Sequence, residues 1–60
     1  MTTYKVLYKM AGSCFWNTQE FDDKMGKGVM EFAESQWKAG ATDVEVYAKA
    51  RVGFVQIKKF

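Results

Sequence analysis

Between residues 4 and 10 apolar and polar positions alternate, with Tyr4, Val6, Tyr8 and Met10 set against Lys5, Leu7 and Lys9. A period near two predicts a strand with one buried and one partly wet face. Ala11-Gly12-Ser13 is small and holds a glycine able to take positive φ, so it predicts a hairpin turn, and residues 14–21 predict the returning strand. Alternation is poorer there: Phe15 and Phe21 share a face with Asn17 and Gln19, and Trp16 shares the other with Cys14, Thr18 and Glu20. Apolar bulk on both sides fits a hairpin tip whose rings wrap the core edge, the preferred expectation, or a strand with a second, ligand-facing surface.

The period then changes. Asp22-Asp23 predicts a helix start, because aspartate accepts hydrogen bonds from free N–H groups of the first turn and suits the positive end of the dipole. The helix body is expected from about Met25 to Trp37 or Lys38. At about 100° per residue, Met25, Val29, Met30, Phe32, Ala33 and Trp37 fall in one stripe, opposite Lys27, Glu31, Glu34, Ser35 and Lys38. Val29 and Ala33 lie at its centre and are the expected core positions; Phe32 lies on its margin, where a ring is seldom fully hidden. Gly26 and Gly28 weaken the first turn, so the start can shift to Lys27. Gly40 is the natural left-handed cap.

Two further strands follow. Val44, Val46, Ala48 and Ala50 alternate with Asp43, Glu45, Tyr47 and Lys49, the cleanest strand pattern in the chain. After the tight turn Arg51-Val52-Gly53, residues 54–60 place Val55, Ile57 and Lys59 on one face and Phe54, Gln56, Lys58 and Phe60 on the other. The order β-β-α-β-β predicts a small single α+β domain over residues 1–60, an antiparallel sheet or two hairpins with one amphipathic helix packed on it. Val6, Val29, Ala33, Val44 and Val46 are enough to seat that helix.

Composition sharpens the picture in three places. At 60 residues the chain hides only about 60% of its unfolded surface, which limits its stability to about 3–5 kcal/mol. One cysteine and no histidine exclude an intramolecular disulfide and a zinc site, and no cofactor is implied. The single cysteine and the lack of a leader-like N-terminal pattern point to the cytoplasm. No apolar stretch approaches the roughly 18 residues of a membrane span, so no membrane partner is expected. Net charge is +2, with basic and acidic residues interspersed, short of the excess that marks most nucleic-acid binders.

The candidate chemistry favours binding over catalysis, and no enzyme activity is expected. Cys14 has no imidazole to raise a thiolate and is expected as a small buried apolar residue. Gly26-Lys27-Gly28 lacks the length and hydroxyl of a phosphate loop. Lys49, Arg51, Lys58 and Lys59 interleave with Tyr47, Phe54 and Phe60, the ingredients of a small nucleic-acid-binding module, although lysines on outward strand positions also keep edges apart. Protein binding is the leading class, because exposed rings and thioethers anchor interfaces. Phe32, beside Glu31 and Glu34, is the best single anchor, with Trp16 a second ring lacking an assured place inside. Self-pairing through exposed rings, as a weak homo-oligomer, is also open.

Several segments resemble the Dmd antitoxin family of T4-type bacteriophages: residues 4–8 (Tyr-Lys-Val-Leu-Tyr), residues 15–21 (Phe-Trp-Asn-Thr-Gln-Glu-Phe), residues 46–50 (Val-Tyr-Ala-Lys-Ala) and above all the helix run Phe32-Ala33-Glu34-Ser35-Gln36-Trp37. The resemblance implies a phage-encoded inhibitor that acts in the host cytoplasm by occupying the active-site groove of an RNase toxin of the RnlA or LsoA type. It also implies contacts by a helix aromatic and a polar residue just beyond the helix. The matching positions are Phe32, where the family has tryptophan, and Thr42 or Asp43, where it has asparagine. A phage inhibitor of another host enzyme, such as RNA polymerase, is a further alternative.

Overall fold

A computed structural model describes residues 2–24 and 26–60. The expected helical position of Met25 lies outside the described residues. Four strands and one helix follow in the order β1 (Thr2–Met10), β2 (Asn17–Asp23), α1 (Lys27–Lys38), β3 (Ala41–Ala50) and β4 (Gly53–Lys59). The strands form one antiparallel sheet in the order β2-β1-β3-β4, and the helix packs on one of its faces, which gives a single α+β sheet rather than two separate hairpins. β1 and β2 pair as a hairpin, as do β3 and β4, and the helix carries the chain across β1 so that β3 lands on its free side.

The alternating pattern and the helical stripe meet at a thin core. Val6 from β1, Val29 and Ala33 from α1, and Ala41, Val44 and Val46 from β3 are buried, and none is larger than valine. Among the described residues no buried side chain is polar. Small side chains let the helix sit close to the sheet, and larger ones seal the rim: Tyr4, Tyr8, Met10, Phe21, Met30, Phe32 and Phe60 pack around the core while staying partly exposed. Phe32 lies 5.1 Å from Phe21 and 5.8 Å from Tyr8 between ring centroids, and Trp37 lies 6.1 Å from Phe60. These tilted and edge-on arrangements are the favourable ones for aromatic pairs.

Several expectations need correction. Asp22 and Asp23 do not open the helix; they end β2, paired with Thr3 and Thr2 of β1. Asp23 nonetheless accepts a hydrogen bond from the backbone N–H of Gly28 at 3.2 Å, so it serves the first turn from outside. The N-cap itself is Gly26, at φ 72°, with its carbonyl accepting from Met30 N–H. Tyr4 explains why that position has no side chain: a Cβ there would lie 3.1 Å from the phenol ring. The returning strand begins at Asn17 rather than Cys14, and Cys14 is exposed, since residues 13–16 leave the ladder before their side chains reach the core. Phe15 does not wrap the core edge either, being 77% exposed.

The last strand carries the largest surprise. Val46 pairs with Lys58 but Tyr47 pairs with Gln56, so Ile57 is one residue too many, a bulge. A bulge reverses the parity of a strand. Phe54 and Gln56 therefore face away from the helix, whereas Lys58 shares a face with buried Val46, and Phe60 packs on Trp37 of the helix. The strict alternation read from residues 54–60 had placed all four on one face. A similar shift occurs where Lys9 pairs with Asp43 and Met10 with Ala41, leaving Thr42 as the extra residue.

Candidate protein-binding surface

One helix about 10 Å across cannot cover four strands spaced about 4.8 Å apart. Among the described residues the helix packs on β3, β1 and β2 from one side, so β4 projects past it and the far face of the sheet, with no layer over it, is open. Pairing register sets what the open face displays: Glu20, Lys5, Tyr47 and Gln56 form one row across the four strands, and Thr18, Leu7, Glu45 and Lys59 the next. Lys5 therefore stands beside Glu20, and Lys59 beside Glu45, while Lys9 Nζ reaches Asp43 Oδ2 at 3.6 Å. Opposite charges on neighbouring strands are the expected lacing of a solvated sheet face.

At the centre of that face lies a shallow depression of about 180 Å³ lined by Lys5, Leu7, Tyr47 and Phe54. Lys5 Nζ sits 4.1 Å above the Phe54 ring, a cation–π contact. Tyr47 donates its hydroxyl to Glu45 Oε1 at 2.6 Å and lies 3.3 Å from Gln56 Oε1. The bond to Glu45, then partial burial and the charge of Glu45 itself, hold the Tyr47 phenol above its ordinary pKa of 10.0. The hydroxyl stays protonated and keeps Glu45 in place.

The residues singled out from the sequence fall into two groups. Trp16, Asp43 and Thr42 come together through Lys9: its ammonium lies 5.3 Å from the Trp16 ring centre and pairs with Asp43, and its backbone carbonyl accepts from the Thr42 hydroxyl at 3.2 Å. The second group, Phe32, Glu31 and Glu34, lies on the helix, across the sheet from Asp43. Glu31 and Glu34 are exposed, and Glu34 pairs with Lys38 one turn on at 3.1 Å. Phe32 is half-buried between Tyr8 and Phe21, so its ring fastens the helix to β1 and β2 and offers a partner only its outer edge.

Sequence reasoning finds the last strand and its cations but not the exposed apolar run beside them. Val52, Phe54, Val55 and Ile57, four of the large apolar residues left exposed, lie within six consecutive positions. A signal lies in the charges, which are nearly balanced in total but, against the interspersed pattern expected, segregated along the chain. All seven acids fall between residues 20 and 45, whereas residues 46–60 hold Lys49, Arg51, Lys58 and Lys59 and no acid. Among the described residues, no group of three or more His, Cys, Asp or Glu side chains is placed to hold a metal ion, and no helix is long and apolar enough to cross a membrane. Searches against protein-family models, curated proteins and solved structures return no match to this chain.

Proposed function

We propose that this chain is an inhibitory protein-binding domain of the antitoxin type, acting in a host cytoplasm by placing the Glu31 and Glu34 side of its helix in the basic, RNA-binding groove of an RNase toxin. One observation carries this reading: every acid lies in the segment that forms β2, the helix and the first half of β3, and Glu31 and Glu34 stand exposed on the helix. A groove built for phosphate presents cations, and the acidic excess of residues 20–45, seven acids against three lysines, complements it, raising the association rate and aligning the partners. The resemblance of the helix run to the antitoxin family gives the same direction.

The test is titration of an RnlA- or LsoA-type RNase with the wild-type protein and with the double reversal Glu31→Lys/Glu34→Lys, both checked for folding by circular dichroism. Wild type should bind and inhibit RNA cleavage, and the reversal should weaken binding by at least about tenfold, mostly through slower association at low salt. An RNase that neither binds nor is inhibited, or one that binds both proteins equally, removes the reading.

One observation favours a second reading, nucleic-acid binding on the open face, where Lys5, Tyr47 and Phe54 stand together. The ion pair of Lys9 with Asp43 and the seating of the Lys5 ammonium on the Phe54 ring weigh against it, since both cations are already engaged. Single-stranded RNA should show no measurable affinity even at low salt; steeply salt-dependent binding would establish the second reading instead.

A further inference from the structure

β4 is an edge strand, so one side of its backbone has no strand beside it. The bulge at Ile57 ends its regular run, which leaves residues 53–56 as the straight stretch where another strand can pair. Within that stretch Phe54 points to the open face, and Val55, paired with Ala48, points to the helix side; Val55 is 45% exposed. Neighbouring Ile57 and Val52 are 48% and 91% exposed. An incoming strand therefore meets apolar side chains on both faces of the sheet, the arrangement that strand addition uses, with backbone bonds supplying affinity and alternate side chains supplying specificity.

Charge names the occupant. Arg51 precedes the straight stretch and Lys58 and Lys59 follow it, with no acid between residues 46 and 60. A second copy docking through its own β4 would bring these cations against their equivalents, which disfavours a symmetric pair. We propose that the β4 edge takes up an extended acidic segment of a partner protein as a fifth strand, with apolar residues of that segment against Phe54 and Val55 and its carboxylates bracketed by Arg51 at one end and Lys58 and Lys59 at the other. This edge lies at the opposite side of the sheet from β2 and does not depend on the identity of any RNase bound through the helix.

Two ten-residue capped peptides serve as probes, one with glutamate alternating with valine and threonine, the other with lysine in place of every glutamate. Each is titrated into isotope-labelled whole protein while backbone amide shifts and hydrogen exchange are followed. The acidic peptide should shift the amides of residues 53–56 and slow their exchange, and the lysine peptide should bind at least about tenfold more weakly. Raising salt from 50 to 500 mM should weaken the acidic peptide several-fold, as screening of exposed charges requires. Val55→Glu and Lys58→Glu, each checked for folding, should both reduce binding of the acidic peptide.

Equal binding of the two peptides, shifts confined to the helix or β2, or no shift at millimolar peptide would overturn the proposal. So would concentration-dependent sedimentation of the protein alone with protection of β4, which would give the edge to a second copy. Perturbation of the same amides by single-stranded RNA, with none by the acidic peptide, would give it to nucleic acid. Loss of RNase binding by the helix reversal, with peptide binding at β4 intact, separates the two surfaces.

Discussion

Replacing Phe32 by alanine removes a ring that touches two others across the boundary between helix and sheet. Fully burying a phenylalanine side chain contributes about 2–3 kcal/mol, and Phe32 is half-buried, so its transfer term is about 1–1.5 kcal/mol. Each ring pair, with Tyr8 and with Phe21, adds about 0.5–1.5 kcal/mol beyond burial. Together these come to about 3 kcal/mol. A 60-residue domain without a disulfide or metal has about 3–5 kcal/mol in total, so the variant should retain roughly 1 kcal/mol and leave about one molecule in six unfolded at 25 °C. Urea denaturation followed by circular dichroism measures this, with Phe32→Leu as the control that keeps most of the volume and loses the ring pairs alone. If Phe32→Ala costs less than about 1 kcal/mol, the ring does not fasten the helix, and its use as a partner's anchor regains priority. If the loss is as expected, about five molecules in six stay folded, so unfolding alone weakens binding by only about 1.2-fold and any larger loss reports on the ring's contact or on the helix it positions.

Two other consequences follow from the packing. Gly26→Ala should destabilise the protein by at least about 1 kcal/mol, because a Cβ at φ 72° is strained and meets the Tyr4 ring at 3.1 Å; Gly12→Ala, with positive φ but open space, should cost less in the same denaturation assay. Tyr47 should titrate above 10.0 in an ultraviolet pH titration, and Glu45→Gln should lower its midpoint. A phenol whose folded pKa exceeds its unfolded one contributes stability that is complete below the unfolded value and is lost as pH rises through the folded value, so this contribution should fade above about pH 10.

Much of the fold was legible because period and chemistry agreed locally. Val6, Val44 and Val46 alternate with polar neighbours, Val29 and Ala33 sit at the centre of the helical stripe, and all five are buried as that pattern requires. Asp22 and Asp23 were misread for a definable reason. Aspartate favours a helix start through hydrogen bonds to free N–H groups, but here both residues also meet strand partners in Thr3 and Thr2, and the Thr3 hydroxyl donates to Asp22 at 2.8 Å. The long-range pairing extended the strand past the local signal. Cys14 and Phe15 were misread because alternation said nothing about where the hairpin leaves the ladder.

The candidate site was less legible, since a surface depends on what covers it. Trp16 is far in the chain from the adjacent Thr42 and Asp43, and Lys9, on a third segment, brings it to them. Phe32 looked available from its helical angle, and Phe21 and Tyr8, from two different strands, take most of its ring.

The sequence by itself determined the order of elements, the small residues of the core and the uneven charge along the chain, because each is set by neighbours within one or two turns or along one strand. The tertiary structure alone decided which rings are hidden, that β4 stands at an edge, and that the extra residue at Ile57 turns Phe54 and Phe60 to opposite faces. A period counts residues within one strand, whereas the face a residue occupies is fixed by its partner in the next.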